Sequence, residues 1–242
     1  MAYEELKKII DESDNIVFLG GAGVSTESDI PDFRSEKGLY NAVSKYGYPP
    51  ESLISHSFFL KHTELFFDYY KKNLIYKDAK PNKAHIALAK LEKEGKIKAV
   101  VTQNIDNLHQ LAGSKNVFEL HGSVFRNYCT KCGEFYDVDF ILKAEKVPYC
   151  EKCGELVKPD VVLYEEGLDD YIWTSACKYI SDADVLIVGG TSLVVYPAAG
   201  LVNYYKGNRL VLINKSETSY DMRANLVIHD SIGKVLSAVV EI

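Results

Sequence analysis

Four of the five cysteines stand in two pairs, Cys129-x-x-Cys132 and Cys150-x-x-Cys153, with seventeen residues between the pairs. Each pair runs into a glycine able to turn a knuckle, Cys132-Gly133 and Cys153-Gly154. Two knuckles present four thiolates as a tetrahedron, and the spacing is that of a zinc ribbon. Four sulfurs fill the coordination shell, so the expectation is one structural Zn2+ rather than a catalytic metal. A redox pair is the competing reading, and two C-x-x-C pairs occurring together argue against it. Cys177 sits apart, among Trp173, Ala176, Tyr179 and Ile180, and reads as a buried small hydrophobe.

A closed metal site places the chemistry elsewhere. Gly20-Gly21-Ala22-Gly23-Val24-Ser25-Thr26 follows the apolar run Ile16-Val17-Phe18-Leu19, with Ile30-Pro31-Asp32-Phe33-Arg34 close behind. Glycines after a strand let the backbone approach a ligand, and amide groups leading into a helix suit a pyrophosphate. The full dinucleotide fingerprint asks for a third glycine where Thr26 stands. Asp32, Phe33 and Arg34 supply an acid, an aromatic ring and a guanidinium, more than a structural turn needs. Among the six histidines, His121 follows an apolar strand and precedes a glycine, a position fit for a general base.

The elements that must position these groups alternate along the chain. Strands are expected at Ile16–Leu19, Ile97–Val101, Val117–Leu120, Asp184–Val188, Arg209–Ile213 and Leu226–Ile228. Helices are expected from Pro81-Asn82 to about Gly95, from Asp106 to about Ala112, over Pro197–Tyr205 and from Gly233 onward. Continuous apolar strands between helices imply a parallel sheet covered on both faces. Each strand ends in small or polar residues: Gly20–Ser25, Thr102-Gln103-Asn104-Ile105-Asp106, His121-Gly122, Gly189-Gly190-Thr191-Ser192, Asn214–Glu217 and His229–Ser231. Ligands of open α/β sheets bind beyond such carboxyl ends, so six polar strand ends predict one shared crevice. An aromatic helical run from Ser57 to about Tyr76, and a segment from Val124 to Lys158, interrupt the alternation as inserts.

The composition is that of an ordinary soluble globular protein: 242 residues, 47% hydrophobic and 26% charged. A net charge of -6 carries no footprint of a nucleic-acid binder. No apolar run nears the ~20 residues needed to span a bilayer, and the N-terminal residues do not form a signal peptide. The expectation is an intracellular, cytoplasmic protein without nucleic-acid or membrane partners.

The glycine loop with Ile30-Pro31-Asp32-Phe33-Arg34, then Thr102–Asp106, His121-Gly122, the four cysteines and Gly190-Thr191-Ser192 occur in one order. With these motifs the chain resembles the sirtuins, NAD-dependent protein lysine deacylases, over nearly its full length. The resemblance implies a Rossmann-like domain of residues 1–34, 80–123 and 159–242. It also implies a smaller domain made of a helical insert, 35–79, and a zinc-ribbon insert, 124–158. NAD would be consumed as co-substrate, with acetylated lysine side chains of proteins as the partner substrate and O-acetyl-ADP-ribose and nicotinamide as products.

By resemblance, Ala22, Thr26 and Arg34 would hold the pyrophosphate and Phe33 would cover the nicotinamide side. Gln103 would meet the nicotinamide ribose, Ile105 and Asp106 the carboxamide, and Ser25 and Asn104 water and the ribose. Thr191, Ser192, Asn214 and Ile232 would line the adenosine end. His121 would act as base toward a ribose hydroxyl. The peptide would add as a β-strand between Tyr164-Glu165-Glu166 and Leu193–Val195. The two glutamates imply a preference for basic residues around the target lysine.

Two further features bear on activity. The family usually has glycine where this chain has Asp29, a residue that tolerates the left-handed conformation better than most. Relatives that remove succinyl groups carry Tyr-x-x-Arg where this chain has Phe67-x-x-Tyr70, which implies deacetylation ahead of desuccinylation. Protein ADP-ribosyl transfer, and a non-catalytic NAD-sensing or zinc-ribbon module, are the competing readings.

Overall fold

The computed structural model describes residues 2–32 and 43–242. Phe33 and Arg34 lie outside the described residues. Six strands form one parallel sheet: β1 Ile16–Gly20, β2 Ile97–Thr102, β3 Val117–Glu119, β7 Val185–Gly189, β8 Leu210–Ile213 and β9 Leu226–Ile228. They lie side by side in the order β3-β2-β1-β7-β8-β9. All six match expected strands. The strand order reverses between β1 and β7, which makes their carboxyl ends the topological switch point.

Alternation along β1 divides the core. Ile16 and Phe18 face the helices Ala2–Asp11, Lys83–Lys93 and Ile232–Val239, while Val17 and Leu19 face the helix Asp170–Asp182 and the 3-10 helix Ala198–Tyr204. All five β1 residues are buried, which is why the strand reads as an unbroken apolar run. Cys177, on the helix Asp170–Asp182, is only partly buried at the margin of the second core. Among the described residues no helix is long and apolar enough to cross a membrane.

The smaller lobe carries a second, antiparallel sheet in the order β5-β4-β6, with β4 Gly122–Cys129, β5 Phe135–Tyr136 and β6 Val157–Val161. The aromatic run is two helices, His56–Lys61 and Thr63–Asn73. Phe58, Phe59, Phe66, Phe67 and Tyr70 share one apolar cluster with Cys129, Cys150, Val157 and Val161. The lobe's two inserts therefore fold around a single core.

Candidate active site

At the switch point the glycine loop departs from the expected helix start. It continues as two short 3-10 turns, Ala22–Val24 and Thr26–Ser28. The amides of Gly21, Gly23, Val24 and Ser25 donate to Gly189, Gly190, Gly21 and Ala22 carbonyls, so they are not a row of open anion donors. The glycines instead let two loops touch. A Cβ on Gly23 would lie 2.8 Å from Gly190 Cα, and one on Gly21 would lie 2.8 Å from Thr191 Cβ. Thr26 Oγ1 closes the turn by donating to the Gly23 carbonyl at 3.0 Å. Asp29 adopts φ 61°, ψ 19°, the left-handed conformation its side chain was expected to tolerate.

Ser25 is 1% exposed and joins two strand ends. Its hydroxyl donates to Asp106 Oδ2 at 2.6 Å and accepts from Asn104 Nδ2 at 3.0 Å. The other Asp106 oxygen accepts from the Leu108 amide at 3.0 Å, at the start of the helix Leu108–Ala112. Burial raises the Asp106 pKa, and the bonds from Ser25 and Leu108 only partly oppose it. Three residues expected in the site thus form one network.

His121 Nδ1 sits 2.9 Å from the Gln103 carbonyl oxygen. A carbonyl only accepts, so the neutral ring carries its hydrogen on Nδ1 and its lone pair on Nε2. Gln103 in turn donates through Nε2 to Thr191 Oγ1 at 3.1 Å, linking the β2 and β7 ends. The His121 carbonyl accepts from Val162 N at 3.0 Å, and Gly122 follows at φ 74°. A Cβ at Gly122 would lie 1.9 Å from the Asp160 carbonyl oxygen, so a side chain there is excluded. Arg126 braces this crossing, binding Glu119 and Asp160 at 2.7 Å each.

The expected adenosine end is less uniform. Thr191 is buried, Ser192 exposed, and Asn214 donates through Nδ2 to the Ser216 carbonyl at 2.9 Å. The Ile232 side chain is 2% exposed and belongs to the core, where a Cβ on Gly189 would meet its Cδ1 at 2.1 Å. Any nucleotide contact at Ile232 must therefore come from its main chain. Ile105 packs against the small-lobe cluster, and its carbonyl accepts from Val124 N at 3.0 Å.

Tyr164 is bonded to the helical lobe through Ile54 and His56 backbone groups, at 3.1 and 3.0 Å. The neighbouring carboxylates are engaged internally. Glu165, at φ 77°, accepts from the amide and hydroxyl of Ser57 at 2.9 Å each. Glu166 binds His56 Nδ1 at 2.7 Å, Lys158 Nζ at 3.0 Å and the Leu163 amide at 2.9 Å. Lys158 answers the Glu166 carboxylate, whereas Glu165 meets, among the described residues, only the neutral Ser57 donors and keeps its negative charge on this loop. Leu193, at φ 54°, buries its side chain and leaves Val194 exposed.

Phe67 and Tyr70 are both fully buried, and Tyr70 stacks on Phe66 at 5.6 Å. The adjacent Lys71 donates to the carbonyls of Ala144 and Lys146. No guanidinium stands at this position to receive a second carboxylate.

The four ribbon thiols converge, with all Sγ atoms within 4.8 Å of one another. Cys129 and Cys153 are 3.4 Å apart, and Cys132 lies 3.6 Å from both Cys150 and Cys153. A Zn–S bond of about 2.3 Å puts tetrahedral sulfurs roughly 3.8 Å apart, so the donor set fits zinc. Amides of Lys131 and Cys132 point at Cys129 Sγ, and the Tyr136 hydroxyl at Cys150 Sγ, as outer donors to thiolates do.

Asn82 also engages the glycine loop, and Glu27 of that loop ties it to the last helix; the sequence assigns neither contact. Asn82 had the signal of a helix opener only. Glu27 Oε1 accepts from the Gly233 amide at 2.9 Å, a partner remote in the chain.

The sequence profile of the Sir2 family matches residues 21–197. The NAD-dependent protein deacetylases of Clostridium acetobutylicum and Clostridium perfringens are each 66% identical to this chain, covering 98% of it and 97% and 98% of their own lengths. A solved Sir2 with a p53 peptide and NAD+ superposes with a TM-score of 0.88 at 40% identity, covering 99% of this chain and 97% of its own. Another, with a deacetylated p53 peptide and 3′-O-acetyl-ADP-ribose, reaches 0.89 at 41% identity over the same shares. The likeness runs through the switch-point loops and the cysteine ribbon alike, and on it the chain belongs to the Sir2 family.

Proposed function

We propose that the protein is an NAD-dependent protein lysine deacetylase. It takes acetyl-lysine, NAD and water to free lysine, nicotinamide and O-acetyl-ADP-ribose. The observation that carries this reading is the pairing of an oriented imidazole with a buried polar network at one switch point. Gln103 holds His121 in the tautomer whose Nε2 accepts a proton, and Ser25 is bonded to both Asn104 and Asp106.

The large domain, residues 1–34, 80–123 and 159–242, holds the nucleotide. The lobe of 35–79 and 124–158 forms a wall of the peptide cleft. Ala22 and Thr26 lie where the turns meet the pyrophosphate, and Thr191, Ser192 and Asn214 lie toward the adenosine. Gln103 and Asn104 order the ribose and its water, and Asp106 with Ile105 receives the carboxamide. His121 Nε2 removes a proton from a ribose hydroxyl as the acetyl group is passed on. Fixed dipoles in a partly dry site stabilise the positive charge that grows on the ribose as nicotinamide leaves. Cys129, Cys132, Cys150 and Cys153 hold the zinc, which staples the lobe and takes no part in the chemistry.

The acylated peptide lies as a strand between Tyr164-Glu165-Glu166 and Leu193–Val195, and acetyl is the preferred group. A cytoplasmic location is part of the proposal, supported by a cysteine set that fits metal rather than disulfides. Nicotinamide release measured with and without acetylated peptide tests the reading. The wild type should release it in a peptide-dependent way, and His121→Ala should lose deacetylation while still binding NAD. Equal deacetylation by the two proteins would remove His121 from its role.

A further inference from the structure

Asn82 is the N-cap of the helix Lys83–Lys93, and its carboxamide faces two ways. Its Oδ1 accepts from the Ala84 amide at 2.9 Å, as a helix cap does. Its Nδ2 donates both protons to the glycine loop, to the Val24 carbonyl at 2.7 Å and to Ser28 Oγ at 2.9 Å. Those two acceptors flank Ser25, the residue that joins Asn104 to Asp106. Between them the turn closes on itself, with the Ser28 and Ile30 amides donating to the Ser25 carbonyl at 2.9 and 3.3 Å. The backbone amide of Asn82 is engaged as well, donating to His85 Nδ1 at 3.3 Å.

We propose that Asn82 is a positioning residue for the nucleotide site. One end of its carboxamide starts a helix of the large domain, and the other latches the Val24–Ser28 turn so that Ser25 meets its two partners. The turn needs such a latch because it is irregular backbone with a left-handed residue, Asp29, at its far end. Val24 and Ser28 are both buried, so an unmatched carbonyl or hydroxyl there is costly. The inference rests on the deacetylase reading only for its kinetic consequence; the latch itself is a statement about the loop.

Asparagine and aspartate are about equally good caps, so Asn82→Asp keeps the helix start while replacing the donating NH2 by an oxygen. That oxygen would face the Val24 carbonyl. The main readout is amide hydrogen exchange of the full-length, zinc-loaded protein without substrate. In Asn82→Asp, exchange at Ser28 and Ile30 should rise about tenfold or more, the consequence of losing roughly one buried hydrogen bond. Amides within Lys83–Lys93 should keep wild-type protection. The KM for NAD should rise by a similar factor, with kcat for saturating NAD changing much less.

Ser28→Ala, which removes one acceptor and leaves the cap intact, should move the same amides in the same direction. Asn82→Ala should loosen both the turn and the helix start. The proposal is overturned if Asn82→Asp leaves Ser28 and Ile30 as protected as in the wild type. It is equally overturned if protection falls evenly across loop and helix in Asn82→Asp, since that reports a cap and no latch. A wild type that fails to deacetylate but shows the exchange pattern would sink the functional reading and leave the latch standing.

Discussion

Acidification should destabilise this protein through two histidines that take no part in the proposed chemistry. His85 and His109 are 0% and 1% exposed, with ring centroids 4.7 Å apart. His85 Nδ1 accepts from the Asn82 amide, so the neutral ring carries its hydrogen on Nε2. Burial holds the His85 pKa down to about 4. His109 is held well below its ordinary value by burial first, and then by the proximity of His85. An unfolded histidine titrates near ~6.5. Below that pH the unfolded chain takes up protons that the folded chain refuses, so the stability present above about pH 6.5 is lost as pH falls toward 4. For His85 each pH unit in that window costs about 1.4 kcal/mol, or about 2 kcal/mol between pH 6.5 and 5.0, and His109 acts in the same direction.

The perturbation that isolates this effect is His85→Gln, whose side-chain carbonyl can still accept from Asn82. Urea unfolding of both proteins at pH 7.5, 6.5, 5.5 and 5.0, with zinc held constant, gives two stability curves. Protonation of the zinc thiolates affects both proteins and cancels in their difference. The wild type should start more stable and lose about 2 kcal/mol more than His85→Gln between pH 6.5 and 5.0. Parallel curves over that interval would refute the reasoning and require His85 to be charged or solvated in the folded protein.

Three other perturbations have definite outcomes. Chelation of zinc, or Cys150→Ser, should melt the small lobe as a unit, because Cys129 and Cys150 share a cluster with Phe66, Phe67 and Tyr70; loss of near-ultraviolet aromatic dichroism with retained large-domain helix signal is the readout. Gly23→Ala drives a Cβ to 2.8 Å from Gly190 Cα, both on backbone, and an overpacking cost of about 1–3 kcal/mol should weaken NAD binding roughly tenfold or more by calorimetry. Peptide panels should show acetyl-lysine turned over faster than succinyl-lysine, and basic flanking residues favoured over acidic ones because Glu165 has no cationic partner among the described residues. Equal rates on acidic and basic panels would mean that the Glu165 charge does not reach the bound peptide.

The parallel sheet was legible because its strands are buried on both faces and so read as unbroken apolar runs. The ribbon strand Gly122–Cys129 was not, since Ser123-Val124-Phe125-Arg126-Asn127 mixes buried and half-exposed residues over a short span. The candidate residues Ser25, Asn104, Asp106, Gln103 and His121 were legible as polar groups at strand ends, which the sheet order brings to one switch point. What escaped were partners distant in the chain. The Gly23 amide is answered by Gly190, and the Glu166 carboxylate by His56. Local sequence shows a donor or a charge, and it carries no sign of whether another segment already satisfies it. Asp29 was legible for the opposite reason, because its conformational tolerance belongs to the residue itself.

The ribbon joins the large sheet through two chain crossings that are themselves bonded neighbours, His121-Gly122 and Val161-Val162. Sliding one crossing past the other would break the bond between Val162 and His121, whereas bending the pair out of its plane would not. His121 therefore lies at the fulcrum of any such bending, which the Arg126 ion pairs and the Val124–Ile105 bond limit. Displacement grows with the length of the lever, so a rocking ribbon would carry its knuckles far and His121 hardly at all. In the proposed reaction such bending would leave His121, the proposed proton acceptor, in register with Gln103. Structures with and without bound peptide should show the Cys132 and Cys153 knuckles moving several times further than the His121 Cα.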